Sequence, residues 1–247
     1  MRTGDVVNDR FVLQRCTGAG GMGTVWQALD RTTGNAAALK LLRDPTRDGP
    51  RFIREAKILE KLSHPHVVRY LESGMLLTGE PYLAMEWLDG EDLAARLTRG
   101  GLTLEAALDL TRRVAEALGA AHARGIVHRD IKPSNLFLVN GEIAQVKVLD
   151  FGIARHGETS VQLTQTNSIL GTPGYMAPEQ ARGEKSIGPQ ADIFSLGTVL
   201  FECVTGQPAF QGTHAMALLA KLLLEEPPRL VDVRPNVLPA VSDLCEQ

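Results

Sequence analysis

Cysteine is scarce in this 247-residue chain: Cys16, Cys203 and Cys245 are the three present, and they lie far apart. An odd, scattered set supports neither a disulfide framework nor a zinc knuckle, and a reducing compartment is the simplest expectation. Long apolar runs are missing as well. The richest stretch, Ala215 to Leu224, is interrupted by Lys221 and ends at Glu225-Glu226-Pro227-Pro228. That is short of the roughly 18 residues a membrane span needs. Met1 to Arg10 is polar and has no apolar signal core. Neither sign of charge dominates, with 26 basic and 29 acidic residues and a net charge of −3. This balance removes the electrostatic reason to expect nucleic acid or an anionic membrane as a partner. No internal repeat and no low-complexity linker occurs. What remains is a globular composition, 44% apolar and 22% charged, on a chain long enough for one large domain or two lobes with a sizeable core.

The first 85 residues read mostly as strands. Arg10–Gly18 and Thr24–Leu29 flank a glycine cluster, Asn35–Leu42 follows, and Val67–Ser73 and Pro81–Met85 complete the set. One helix, about Arg51 to Leu62, interrupts them. After Asp89-Gly90 the pattern turns helical. Leu104, Leu108, Thr111, Ala115, Leu118 and His122 recur at helical spacing between an N-cap at Thr103 and a stop at Gly125. Short strands are expected near Leu136–Val139 and Gln145–Leu149. A buried helix is expected from about Asp192 to Thr205, stopped by Gly206. Asp89-Gly90 is then the natural hinge between a small sheet lobe and a larger helical one.

Four segments carry chemistry. Gly18-Ala19-Gly20-Gly21-Met22-Gly23-Thr24-Val25 allows tight bending and close approach of backbone to a ligand, and turn N–H groups can face phosphate oxygens. A plain hairpin turn fits the same residues. A dinucleotide fold does not, because a helix should follow the glycines and Thr24-Val25-Trp26 reads as a strand. Lys40, in Ala37-Ala38-Leu39-Lys40, sits in an apolar strand and must send its ammonium to a partner or to solvent. Glu55, with Phe52, Ile58 and Leu59 at helical spacing around it, is a candidate partner; the alternative is a carboxylate at the edge of a solvated face. The densest block is His128-Arg129-Asp130-Ile131-Lys132-Pro133-Ser134-Asn135, a charged loop between a helix and a strand. Asp130 can accept a proton or orient a hydroxyl, and Lys132 can neutralise a phosphoryl group. With Asp150-Phe151-Gly152 it completes a set in which Asn135 and Asp150 offer the hard oxygens that Mg²⁺ prefers.

In this order, GAGGMGTV, AALK, the helix around Glu55, HRDIKPSN, DFG, GTPGYMAPE and ADIFSLG resemble the eukaryotic-type protein kinases, most closely their bacterial serine/threonine members. The resemblance covers essentially the whole chain. It implies an α+β bilobal fold with a small antiparallel-sheet lobe (1–85), a hinge (86–91) and a helical lobe (92–247). It implies ATP and Mg²⁺ as cofactors, with Gly18, Gly20 and Gly23 over the phosphates and Lys40 on the α- and β-phosphates, paired with Glu55. Asp130 would be the catalytic base, Lys132 would contact the γ-phosphate, and Asn135 and Asp150 would hold the metal. The adenine pocket would fall to Val25, Ala38, Met85 as gatekeeper and Phe137, with backbone groups of Glu86 and Leu88, and Asp92 would reach the ribose. Leu59, Tyr70, His128 and Phe151 would stack as an apolar spine.

The segment from Asp150 to Glu179 resembles an activation loop. Arg129 resembles the arginine that docks a loop phosphate. Thr164 and Thr166 resemble the autophosphorylated pair of bacterial relatives, which implies self-association for phosphorylation in trans. Thr172 resembles a residue that positions the substrate. Proteins with serine or threonine acceptors are the expected substrates, and the cytoplasm the expected location, although many relatives carry a membrane anchor and sensor domain after the kinase. Thr17 departs from the bulky aliphatic usual above the adenine, and Ala37 from a common valine. The family also continues past the segment near Val237-Leu238, so the helical lobe is expected to be incomplete, with Glu179 lacking a later arginine. Two other readings compete: a scaffold on the same fold, against which the presence of Lys40, Glu55, Asp130, Asn135 and Asp150 stands, and a small-molecule phosphotransferase, against which the resemblance of Gly171 to Glu179 to a peptide-positioning segment stands.

Overall fold

The computed structural model describes residues 1–20, 23–42, 56–57, 59–151, 173–212, 214–237 and 241–242. The chain divides into two compact units, Met1–Asp89 and Gly90–Gln247.

The first unit is a six-stranded antiparallel sheet in the order β1-β2-β3-β4-β6-β5. Its strands are β1 (Val6–Val7), β2 (Phe11–Gly20), β3 (Gly23–Asp30), β4 (Ala36–Leu42), β5 (Tyr70–Met75) and β6 (Pro81–Glu86). Strand alternation sorts the side chains. Along β4, Ala37, Leu39 and Leu41 are buried, while Ala38 and Lys40 are half-buried on the opposite face. Leu39 joins Phe11, Leu13, Trp26 and Tyr82 in one apolar cluster, and burying a leucine of this kind contributes about 2 kcal/mol. An ionic clamp ties the residue before β2 to the end of β3 and to β5. Arg10 donates to both oxygens of the buried Asp30, at 2.7 and 2.8 Å, and to Glu72 at 2.8 Å. The guanidinium holds the Asp30 carboxyl far below the usual carboxylate range.

The second unit holds a three-stranded sheet, β7 (Gly90–Asp92), β8 (Leu136–Val139) and β9 (Val146–Val148). Its helices are α1 (Leu93–Leu97), α2 (Leu104–His122), α3 (Pro178–Ala181), α4 (Gln190–Thr205), α5 (Ala215–Leu224) and α6 (Leu230–Val233). Thr103 caps α2 by accepting from the Ala106 N–H, and Gly206 ends α4 in the left-handed region. Helix α4 is buried on nearly every face, through Ala191, Ser195, Leu196, Val199, Leu200 and Cys203. A helix apolar all round belongs at the centre of its unit. Burial pushes the Cys203 thiol up to about 12, so it behaves as a small apolar side chain.

Three expectations shift. Strand β5 starts at Tyr70 rather than Val67, because the Val67 N–H closes a turn onto the His64 carbonyl at 3.1 Å. Gly90–Asp92 is a strand before the chain turns helical. It pairs with β8 close enough that a Cβ on Gly90 would strike the Leu138 carbonyl. Helix α4 starts at Gln190, two residues before Asp192. Of the helix expected over 51–62, residues 56–57 and 59–60 are helical and Glu55 lies outside the described residues.

Candidate active site

The singled-out residues fall into two sets, one per unit. In the first unit, Val25 on β3 pairs with Lys40 on β4, and Ala38 pairs with Met85 on β6. Met85 is buried. Glu86 uses its N–H on the Arg69 carbonyl, at 2.9 Å, and its Oε1 accepts the Arg69 N–H at 2.9 Å. Leu88 is half-buried. The glycines differ in what they require. Gly18 has room for a Cβ, whereas Gly23 has φ +142° and a Cβ there would collide with the Leu41 carbonyl. Only glycine fits that position without moving β4. Gly20 faces Gly23 across the ribbon.

In the second unit, Asp92 is the N-cap of α1, with Oδ1 accepting the Ala95 N–H at 2.7 Å. It stands opposite Phe137 in the β7–β8 register. The loop after α2 brings the acid, base and cation-binding types together. Lys132 Nζ lies 3.0 Å from Asp130 Oδ2. Asn135 Nδ2 donates to the Asp130 carbonyl at 2.7 Å and to Asp130 Oδ2 at 3.1 Å. Two donors on one oxygen fix the orientation of the carboxylate. Spending Nδ2 this way also turns Asn135 Oδ1 into the group available to a hard cation, which fits a magnesium ligand. The Asn135 carbonyl accepts the Leu149 N–H, at 2.9 Å, and so ties the loop to the residue before Asp150.

Backbone conformation explains why the loop needs support. Arg129 has φ +65° and Asp150 φ +49°, the left-handed region that costs a non-glycine residue on the order of 1–3 kcal/mol. Arg129 is held from both sides. Its N–H donates to Asp192 Oδ1 at 2.7 Å, and its carbonyl accepts Gln180 Nε2 at 2.9 Å. Asp192 Oδ2 accepts the His128 N–H at 2.8 Å and lies 2.7 Å from His122 Nε2. Asp192 is fully buried. From sequence, His122 is a position on a helix and Asp192 the start of another; neither they nor Gln180 carry a site role there. The signal that bears on Asp192 is an acid in the first turn of a helix expected to be buried, which marks the residue without naming its partners.

His128 is fully buried, with its ring 4.7 Å from that of Phe151. Its Nδ1 accepts the Asp130 N–H at 3.2 Å, so Nε2 carries the proton and donates to the Leu149 carbonyl at 2.6 Å. Burial pulls this imidazole below its ordinary value. It therefore stays neutral in the fold and takes a proton once unfolded. The folded state loses stability from this group as the pH falls below about 6.5. We expect the His128 ring resonances to keep their neutral shifts in a pH titration that protonates exposed histidines. A His128 midpoint at or above 6.5 would contradict the assigned hydrogen bonds.

Pro173 to Glu179 is docked onto α4. Ser195 Oγ donates to the Tyr175 carbonyl at 2.7 Å, and the Tyr175 hydroxyl donates to Glu202 at 2.6 Å. Thr164, Thr166 and Thr172 lie outside the described residues, as does Gly152.

The family described as "Protein kinase domain" matches residues 11–243. The chain is 41% identical over 246 residues to the serine/threonine-protein kinase PknA of Mycobacterium tuberculosis, covering 96% of this chain and 56% of that protein. It is 38% identical over 258 residues to the serine/threonine-protein kinase PkaA of Streptomyces coelicolor, covering 97% of this chain and 46% of the relative. The chain thus spans about half the length of the curated relatives it matches. Among solved structures, Rad53 1–466 in complex with AMP-PNP superposes with a TM-score of 0.76 at 28% identity, covering 96% of this chain and 59% of that one.

Proposed function

The chain belongs to the protein kinase family, and from that premise we propose that it transfers the γ-phosphoryl of ATP, with Mg²⁺, to serine and threonine hydroxyls of proteins, its own activation segment among them. The observation that carries this reading is the loop around Asp130. Its carboxylate is oriented by Lys132 and Asn135, and its backbone is anchored on the buried Asp192. Phosphoryl transfer is mostly positioning and charge neutralisation. A carboxylate fixed in this way suits a group that orients an attacking hydroxyl and takes its proton.

The remaining roles follow the family. Gly18, Gly20 and Gly23 cover the phosphates, Lys40 holds the α- and β-phosphates with Glu55 as its partner, and Lys132 meets the γ-phosphate. Val25, Ala38, Met85 and Phe137 enclose the adenine, the backbone of Glu86 and Leu88 reads its edge, and Asp92 reaches the ribose. Asn135 and Asp150 would hold the metal, which when bound would supply charge neutralisation to the phosphates. The domain spans residues 1–85, 86–91 and 92–247 as small lobe, hinge and large lobe. Thr164 and Thr166 are the sites of phosphorylation in trans between two copies. The cytoplasm is the proposed location; no helix among the described residues is long and apolar enough to cross a membrane.

A panel of protein and small-molecule acceptors, incubated with ATP and Mg²⁺, tests the substrate class. Label on seryl and threonyl residues only, lost in Asp150→Asn, is the expected result. Transfer to small molecules with none to protein would contradict it.

A further inference from the structure

Strand β2 carries the glycine cluster and contains two irregularities against β3. The register steps between Leu13 and Arg15 and again between Cys16 and Gly18, so Gln14 and Thr17 each stand as an extra residue. A bulge bends its strand and breaks the ladder locally. Each of these is closed by a threonine hydroxyl. Thr3 Oγ1 donates to the Gln14 carbonyl at 3.0 Å, where the N-terminal segment also pairs with Leu13 through the Gly4 N–H and the Asp5 carbonyl. Thr17 Oγ1 donates to the Val25 carbonyl at 3.2 Å, directly across the second step.

The position of Thr17 makes its bond matter. Phe11 and Leu13 are buried, but Gln14 through Ala19 are all exposed. Beyond Leu13 the side chains of β2 therefore add nothing to the buried core of the sheet up to Ala19. Among the described residues, the cross-strand bonds that hold this stretch are the ladder itself, Arg15 Nε to Gln27 Oε1 at 2.7 Å, and the Thr17 hydroxyl. The Thr17 hydroxyl acts at the register step just before Gly18, where the glycine cluster begins.

We infer that Thr17 is a positioning residue for the nucleotide, acting through its hydroxyl, which closes the β2 bulge onto the Val25 carbonyl and so sets the approach of the glycine cluster. This rests on the kinase reading above. It explains a departure from the family. The usual bulky aliphatic offers only surface, whereas threonine offers less surface and a bond that fixes the strand. Thr17→Val keeps the shape and β-propensity of the side chain and removes the bond.

The test is titration of a fluorescent ATP analogue into the chain and its Thr17→Val, Thr17→Ser and Thr17→Ala variants, with kcat and KM for ATP measured alongside. The expected result is a rise of about threefold or more in the nucleotide dissociation constant and in KM for Thr17→Val, sized by one modest hydrogen bond. Thr17→Ser is expected to stay within about twofold of the parent, kcat to be unchanged throughout, and thermal midpoints to agree. Peptide-level hydrogen exchange over residues 11–30 is expected to rise in Thr17→Val. Equal or tighter nucleotide binding by Thr17→Val, or weakening by Thr17→Ser as large as by Thr17→Ala, would overturn the inference. If the parent chain binds no nucleotide, the kinase reading fails instead, which separates the two.

Discussion

Asp130→Asn is expected to lower phosphoryl transfer by on the order of a thousandfold while leaving ATP binding and the thermal midpoint nearly unchanged. The size is that of a general base lost with its geometry kept. Asparagine matches the shape of aspartate, and its oxygen can still accept from Lys132 or Asn135, which lie 3.0 and 3.1 Å from Asp130 Oδ2. It cannot take a proton from a hydroxyl. A steady-state assay beside a nucleotide titration separates the two effects. Full turnover in the variant would remove Asp130 from the mechanism. A parallel loss of ATP binding would show that the residue holds the loop rather than the acceptor.

Asp192→Asn is expected to have the second largest effect, of a different kind. Asp192 accepts from two backbone N–H groups and faces His122 Nε2, with no solvent access. Asparagine supplies one acceptor where two are used and turns an N–H₂ toward a donor. Leaving one buried donor unpaired costs about 1–3 kcal/mol, and more where the lost acceptor was charged. For a chain of this size, a loss of about 3 kcal/mol lowers the thermal midpoint by roughly 6–12 °C. Arg129 then loses the bond that holds its left-handed backbone, so kcat falls together with stability. That coupling is the informative part. Asp130→Asn lowers kcat at constant stability, and Asp192→Asn lowers both. A calorimetric scan and an assay on the two variants check the contrast. An unshifted midpoint for Asp192→Asn would contradict the anchoring role.

These residues also show what a sequence alone can reveal. The Asp130 loop was legible because its functional types crowd into eight consecutive positions, and because a helix stop and a strand bracket them. Thr103, Gly125 and Gly206 were legible as helix ends because capping is local chemistry: Thr103 accepts from a residue three positions on, and the two glycines take φ values of +72° and +76°. Asp192 was not legible as an anchor. Its bond to the His128 N–H spans 64 positions in sequence, and no periodicity announces such a contact. Gln180 is similar, reaching the Arg129 carbonyl across 51 positions. The three-residue strand Gly90–Asp92 was hidden because alternation over three residues carries no signal. The bulge at Thr17 was hidden for another reason: a register step exists only between two strands, so the departure at Thr17 could be noticed but not explained. Glu55, Thr164 and Thr166 lie outside the described residues, and their roles stand on the family.

The most direct test of the central claim is transfer from γ-labelled ATP in the presence of Mg²⁺, with the chain as its own acceptor and modified residues mapped by mass spectrometry beside Asp150→Asn. Phosphate on Thr164 or Thr166, absent in Asp150→Asn, is the predicted result. Bound nucleotide with no phosphate transferred to the chain or to any protein acceptor would contradict the account and leave a nucleotide-binding scaffold in its place.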